Sequence, residues 1–244
     1  MIAEPQRALA ELISRTSVLM LDFDGPVCSV FAGLPAPGIA EQLRNTLRRL
    51  GVPVTAELED DDDPLSIYRY STNGGPAVVA AIHDALVAAE LRAVETATPT
   101  PGAVDVIDAA HERGRRLAVV SNNAAAAVAT YLRLHGLTGR VDYIAARRTP
   151  EPSLMKPSPH YLIEAAATLD VSIRTCALVG DSGTDAVAAK RAGAYAVGYA
   201  NKSGKGEQLV AAGAAVVIDS MTTLATVVRE ARGTPYLPGS VEDN

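Results

Sequence analysis

Four short segments of this 244-residue chain place reactive side chains at spacings that suit phosphate and metal chemistry. Asp22 and Asp24 flank Phe23 and precede Gly25. In extended backbone they start on the same side, and Gly25 lets the chain turn away. Two such carboxylates suit a hard cation, or a nucleophile with an acid/base partner. Ser121-Asn122-Asn123 brings a hydroxyl and amides to the start of a helical pattern, where an anion is favoured by the helix dipole. Lys156 lies between Met155 and Pro157 in a chain that uses lysine four times and arginine eighteen times. Its compact ammonium can neutralise a nucleophilic carboxylate and a phosphoryl group together. Asp181 and Asp185 sit four residues apart across a strand end and the first turn of the next helix, a shelf suited to magnesium. Singly, each has an ordinary explanation: a turn, an N-cap, a solvated lysine.

The elements that must hold these residues read as an alternation. Apolar runs at 17–21, 117–120, 141–145, 176–179, 194–198 and 214–218 predict buried parallel strands. Helical patterns at 103–113, 124–135, 159–169, 184–192 and 221–231 lie between or after them. Val104, Ile107 and Ala110 mark the inner face of the first, Val128, Tyr131, Leu132 and His135 that of the second. Ser158 with Pro159 reads as a cap and first helical position, and Ser220 as the last cap. This predicts an α/β fold, a doubly wound and mostly parallel sheet.

Residues 28–98 break the alternation, with helical patterns and no convincing strand. Ile39, Leu43, Leu47 and Leu50 fall on one helical face, with Arg44, Arg48 and Arg49 elsewhere. Asp63 caps a short helix over 64–70, and Val78, Val79, Ile82, Leu86 and Val94 line a longer one. The expected organisation is a core of 1–27 and 99–244, with 28–98 as a smaller all-helical cap over the strand ends. The tail after Gly233 reads as a frayed or loosely docked end.

Composition excludes other classes. Twenty-two basic against twenty-eight acidic residues, no Trp and ten other aromatics give no footprint for nucleic acid. No apolar stretch reaches the roughly 20 residues of a membrane span, and the first fifteen residues lack a signal-peptide core. A cytoplasmic protein is expected. Cys28 and Cys176 lack metal or redox spacing and read as small buried residues. The six acids between 57 and 63 match the whole charge of −6, and the run reads as a solvated cap loop.

In order and spacing the four segments resemble the haloacid dehalogenase superfamily of aspartyl phosphatases and phosphomutases. Asp22-Phe23-Asp24-Gly25 is similar to its first motif, Ser121 to the second, Lys156 to the third and Gly180–Asp185 to the fourth. The run 180–193 (GDSGTDAVAAKRAG) resembles the phosphoglycolate-phosphatase-like branch, which carries a helical cap after the first motif. The resemblance implies that Asp22 attacks phosphorus and Asp24 serves as acid and then base. Ser121, Asn122 and Lys156 would hold phosphoryl oxygens. Magnesium would take Asp22, the backbone carbonyl of Asp24, Asp181 and, in support, Asp185. A small phosphorylated metabolite is the expected substrate and hydrolysis the expected reaction. A sugar phosphomutase of the β-phosphoglucomutase type, or a non-catalytic module, are the alternatives.

Pro26 departs from the family pattern, which has Thr or Val there, and implies an altered turn into the cap. Dehalogenation is disfavoured by the magnesium shelf. Phosphonate cleavage is disfavoured because 28–98 contains no lysine. Arg44, Arg48, Tyr68, Arg69, Tyr70, Asn73 and His83 are the cap residues that could meet substrate.

Overall fold

The computed structural model describes residues 4–231, so the expected frayed tail lies outside the described residues. The chain runs α1 (Glu4–Ser14), β1 (Val18–Leu21), β2 (Cys28–Ser29), α2 (Ala36–Arg49), α3 (Ala56–Glu59), α4 (Pro64–Tyr70), α5 (Pro76–Ala93) and β3 (Thr98–Pro99). It continues through α6 (Ala103–Glu112), β4 (Arg116–Ala124), α7 (Ala125–Leu134), β5 (Tyr143–Arg147), α8 (His160–Thr168) and β6 (Cys176–Gly180). The last elements are α9 (Gly183–Ala192), β7 (Tyr195–Tyr199), α10 (Lys205–Ala212), β8 (Val216–Ile218) and α11 (Met221–Glu230).

Six strands form one parallel sheet in the order β5-β4-β1-β6-β7-β8. Alternate residues of each strand enter opposite apolar layers. Leu19, Leu21, Leu117, Val119 and Val179 face the layer of α1, α6, α7 and α11; Val18, Met20, Val120 and Leu178 face α8 and α9. Burial on both faces is why these strands read as unbroken apolar runs. The chain order reverses around β1, so β1, β4 and β6 end side by side at the switch point, where ligands of such sheets bind.

The inserted helices carry their own apolar cluster. Ile39, Leu43 and Leu47 of α2, Ile67 and Tyr68 of α4, and Ile82 and Leu86 of α5 pack together, and Met155 of the core joins them. Asp63 caps α4 as expected, its carboxylate accepting the Leu65 N–H at 2.9 Å. β2 and β3 form a two-stranded antiparallel ribbon at the foot of this segment, a feature the helical reading of 28–98 did not contain. Two-residue strands carry too little pattern to be read from sequence.

Several expectations shift in detail. β5 begins at Tyr143; just before it, Asp142 donates its N–H to the Leu117 carbonyl and accepts the Leu117 N–H on Oδ2, both at 2.8 Å. The inner stripe of α6 is Ala103, Val106, Ile107 and Ala110, with Val104 exposed. His135 is exposed and stacks its ring 4.1 Å from Tyr131, and Leu50 is exposed too. α8 opens at His160 with Pro159 at the cap, one residue later than Ser158 implied. The N-terminal helix α1, which the sequence reading left unassigned, buries Leu9, Leu12 and Ile13 against the sheet. The two cysteines are buried and unbridged. No helix among the described residues is long and apolar enough to cross a membrane.

Candidate active site

Asp22 follows the last residue of β1, where its own N–H still bonds to the Val179 carbonyl of β6 at 2.9 Å. Its Oδ1 accepts the Phe23 N–H at 2.7 Å and lies 2.6 Å from Lys156 Nζ. Lys156 is only 2% exposed. Its ammonium donates to the Val120 carbonyl at 3.1 Å and also stands 2.6 Å from Asp185 Oδ1. Burial alone would lower this ammonium, but the carboxylates of Asp185 and Asp22 push it above the usual lysine range. Burial and Asp185 raise the Asp22 carboxyl well above the usual range, against the pull of Lys156.

The turn after β1 aims the second acid. Gly25 has φ +106°, and a Cβ there would fall 2.5 Å from Asp181 Cγ, so close approach and conformation both demand glycine. Val27 and Cys28 donate to the Phe23 carbonyl, and Gly25 donates to the Cys28 carbonyl. None of these bonds uses an N–H at position 26, so Pro26 fits this buried turn without leaving a donor gap. Asp24 Oδ1 accepts the Val30 N–H at 3.0 Å, and burial raises its carboxyl above the usual value.

Asp185 is held by a capping box. Its Oδ2 accepts the Ser182 N–H at 3.0 Å and hydroxyl at 2.6 Å, while Ser182 Oγ takes the Asp185 N–H. Its Oδ1 is buried, with the Lys156 ammonium 2.6 Å away. Carboxylate oxygens of Asp22, Asp181 and Asp185 all lie within 4.8 Å of one another. Three hard oxygen donors within reach of one another fit a divalent cation such as magnesium. The carboxylate of Asp24 stands outside this trio.

A cavity of about 530 Å³ opens above the cluster, between core and cap. Asp22, Asp24, Asn122, Lys156, Asp181 and Asp185 line its floor. Ser121 does not: it is fully buried at the end of β4, its hydroxyl donating to Asn123 Oδ1 at 3.1 Å and accepting the Asn123 N–H at 3.0 Å. The Asn122 side chain brackets the lysine backbone, with Oδ1 accepting the Lys156 N–H at 2.7 Å and Nδ2 donating to its carbonyl at 3.2 Å.

Of the seven cap residues singled out, Arg69 alone lines this cavity, and its guanidinium donates to the Lys156 carbonyl at 3.1 Å. Arg44 is buried, donating to the carbonyls of Leu58 and Asp61 and pairing with Glu41 and Glu59. Arg48 pairs with Glu59 and Glu41. Tyr68 and His83 are buried against Arg147, Tyr70 bonds to the Pro53 carbonyl, and Asn73 is exposed. The acidic run is not a solvated loop throughout. Glu57 and Glu59 lie in α3, and Asp62 and Asp63 line the cavity. Sequence reasoning also missed Lys205 and Asn201, which hold Asp181 Oδ2 at 2.6 and 2.9 Å. Lysine's rarity in this chain, the signal that raised Lys156, points equally to Lys205.

A family model described as haloacid dehalogenase-like hydrolase matches residues 16–193. A phosphoglycolate phosphatase of Cupriavidus necator is 34% identical over 139 residues, 55% of this chain and 58% of that protein. An uncharacterized hydrolase of Saccharomyces cerevisiae is 25% identical across 76% of this chain and 78% of its own. The chain thus spans less than two thirds of the first of these relatives. Among solved structures, CbbY from Rhodobacter sphaeroides in complex with phosphate shares the fold with a TM-score of 0.63. It is 24% identical, with 86% of this chain and 96% of that one covered. A Pseudomonas syringae hydrolase gives a TM-score of 0.65 at 19% identity, covering 86% and 97%. With its motifs gathered at three adjacent strand ends beneath an inserted helical cap, the chain belongs to the haloacid dehalogenase-like hydrolases.

Proposed function

We propose that this protein is a magnesium-dependent phosphatase of a small phosphomonoester metabolite, working through an aspartyl-phosphate. The observation that carries the reading is the convergence of Asp22, Asp181 and Asp185 on one another, two of them on the buried Lys156, at the floor of the cavity. A carboxylate repels a phosphate dianion, so a nucleophilic acid needs cations beside it. Lys156 is one. Asp22, Asp181, Asp185 and the Asp24 carbonyl would hold a magnesium ion, which when bound supplies the remaining positive charge for the phosphoryl oxygens.

In the first step Asp22 Oδ forms a bond to phosphorus as the bond from phosphorus to the leaving oxygen breaks. Asp24, whose carboxyl is held protonated to higher pH by burial, gives that oxygen its proton. In the second step Asp24 takes a proton from water, the water oxygen bonds to phosphorus, and the Asp22 acyl phosphate bond breaks. Asn122 fixes the backbone of Lys156, and Ser121, buried behind the floor, acts by holding Asn123. Similarity to phosphoglycolate phosphatases supports hydrolysis, and phosphoglycolate heads the substrates to try.

The test is phosphate release from a panel of phosphomonoesters with and without magnesium, using Asp22→Asn as the blank. Magnesium-dependent release by the wild type alone is expected. Equal release by the blank would remove Asp22 from its role. Isomerisation of a sugar phosphate without release would replace hydrolysis by a mutase reaction. Silence across the panel would favour a binding module.

A further inference from the structure

Away from the cavity floor, the densest buried charge lies where α5 of the cap meets the ends of β4 and β5. Glu90 and Arg147 are both fully buried, with Arg147 Nη2 2.6 Å from Glu90 Oε2. Arg147 Nε donates to the Asn122 carbonyl at 3.1 Å, and its Nη1 contacts His83 Nδ1 at 2.9 Å. Glu90 Oε1 accepts from Asn123 Nδ2 at 3.1 Å, and Oε2 accepts the Ala124 N–H at 2.9 Å. Apart from each other and His83, the pair's hydrogen bonds therefore go to one stretch of chain, residues 122–124.

That stretch needs outside support. The ladder between β4 and β5 runs in register as far as Ser121 and then shifts before Ala124. The sheet leaves the backbone of 122 and 123 without its regular rungs, and buried backbone groups must find partners elsewhere. Arg147 supplies a donor to the Asn122 carbonyl and Glu90 an acceptor for the Ala124 N–H. Packing alone does not ask for this pair, because apolar residues of similar volume often stabilise a buried site as well as an ion pair. An apolar pair, however, cannot anchor a displaced loop.

We infer that Glu90 and Arg147 are positioning residues for the Ser121–Asn123 segment, so that the cap helix sets the geometry of the core's anion-facing loop. The consequence reaches two groups of the site. Asn123 holds the Ser121 hydroxyl through its N–H and Oδ1, and Asn122 brackets the backbone of Lys156. A cap that is only a lid could be altered at α5 without disturbing either. What the loop binds rests on the phosphatase reading; its order does not.

The full-length double variant Glu90→Leu/Arg147→Met replaces the pair by apolar side chains and separates anchoring from stability. Three quantities are measured: hydrogen exchange of the amides of 121–124, affinity for inorganic phosphate with magnesium, and KM against kcat for p-nitrophenyl phosphate. With the fold retained, exchange in 121–124 is expected to quicken by about tenfold or more. Phosphate affinity should fall, and KM rise, by a similar factor. Exchange and affinity both within about twofold of the wild type would overturn the inference. Should the double variant fail to fold, Arg147→Lys decides by the same readouts, since one ammonium cannot span Glu90, His83 and Asn122 at once. If the wild type neither binds phosphate nor releases it, the phosphatase reading falls, and the exchange of 121–124 still judges the anchoring role.

Discussion

Two clusters of buried charge lie a few residues apart along β4, and they are built on opposite terms. At the cavity floor Asp22 and Asp185 face the buried ammonium of Lys156, and the neighbouring Asp181 pairs with Lys205 at 2.6 Å. Three carboxylates meet two ammonium groups, so negative charge is in surplus, and a cavity opens directly above. Around Arg147 one guanidinium faces one carboxylate, and Glu90 finds a partner for each oxygen. The Tyr68 ring covers the guanidinium at 5.0 Å. The first arrangement is incomplete without further cations and a ligand; the second is complete as it stands. A buried acid alone therefore says little about function, whereas the balance of charge and the access of solvent say a good deal.

Removing the central cation gives the sharpest contrast. Lys156→Met leaves Asp22 and Asp185 facing each other in a buried site, and activity should drop by about a thousandfold or more. Magnesium should then raise the thermal midpoint of this variant more than that of the wild type, because the ion answers a larger surplus. Steady-state kinetics and thermal melts with and without magnesium test both parts. If magnesium stabilises the two proteins equally, the surplus-charge reading of the floor is wrong.

Arg147→Met is the matching experiment on the balanced cluster. It strands the Glu90 carboxylate, and chemical denaturation should record a loss of about 3–5 kcal/mol. Magnesium should restore none of that. Asp181→Asn is milder: the shelf loses one of its three carboxylates and divalent-metal affinity should weaken by at least about tenfold, read by titration calorimetry. An unchanged metal isotherm would put the ion elsewhere.

The two clusters were unequally legible. The floor could be read because Asp22 and Asp181 close apolar runs and Asp24 and Asp185 follow within two to four residues, so the whole pattern is local in sequence. The strands themselves read well because both faces are covered, so each appears as an unbroken apolar run. Glu90 and Arg147 stand 57 residues apart, one inside a helix with apolar residues all round and one at a strand end. No period or spacing joins them. The cap wall of the cavity was hidden for a similar reason. Asp62 and Asp63 reach it only because Arg44, which helical periodicity placed off the apolar face, tucks under the chain and holds the carbonyls of Leu58 and Asp61. Nonlocal polar contacts set these positions, and local pattern carries no record of them.

The smallest effect tests whether the balanced cluster is as closed as it looks. His83 presents Nδ1 to the Arg147 guanidinium at 2.9 Å and to the Tyr68 hydroxyl at 3.3 Å, so that nitrogen accepts and the ring is neutral. Burial, with Arg147 adding to it, lowers the imidazole below its usual 6.5. In the unfolded chain the ring protonates near 6.5, so between that pH and the lower folded value the unfolded state binds more protons. His83 therefore contributes stability that is fully present above about pH 6.5 and is lost as pH falls toward and through the folded value. His83→Asn should flatten the fall in thermal midpoint on acidification from pH 7.5 to 5.5, by an amount worth about 1 kcal/mol or less. His160, which faces Glu164 on the surface, serves as the control. If His83→Asn and wild type lose stability in parallel over that range, His83 accepts its proton in the folded state without penalty. The cluster around Arg147 would then be open to charge in the way the cavity floor is.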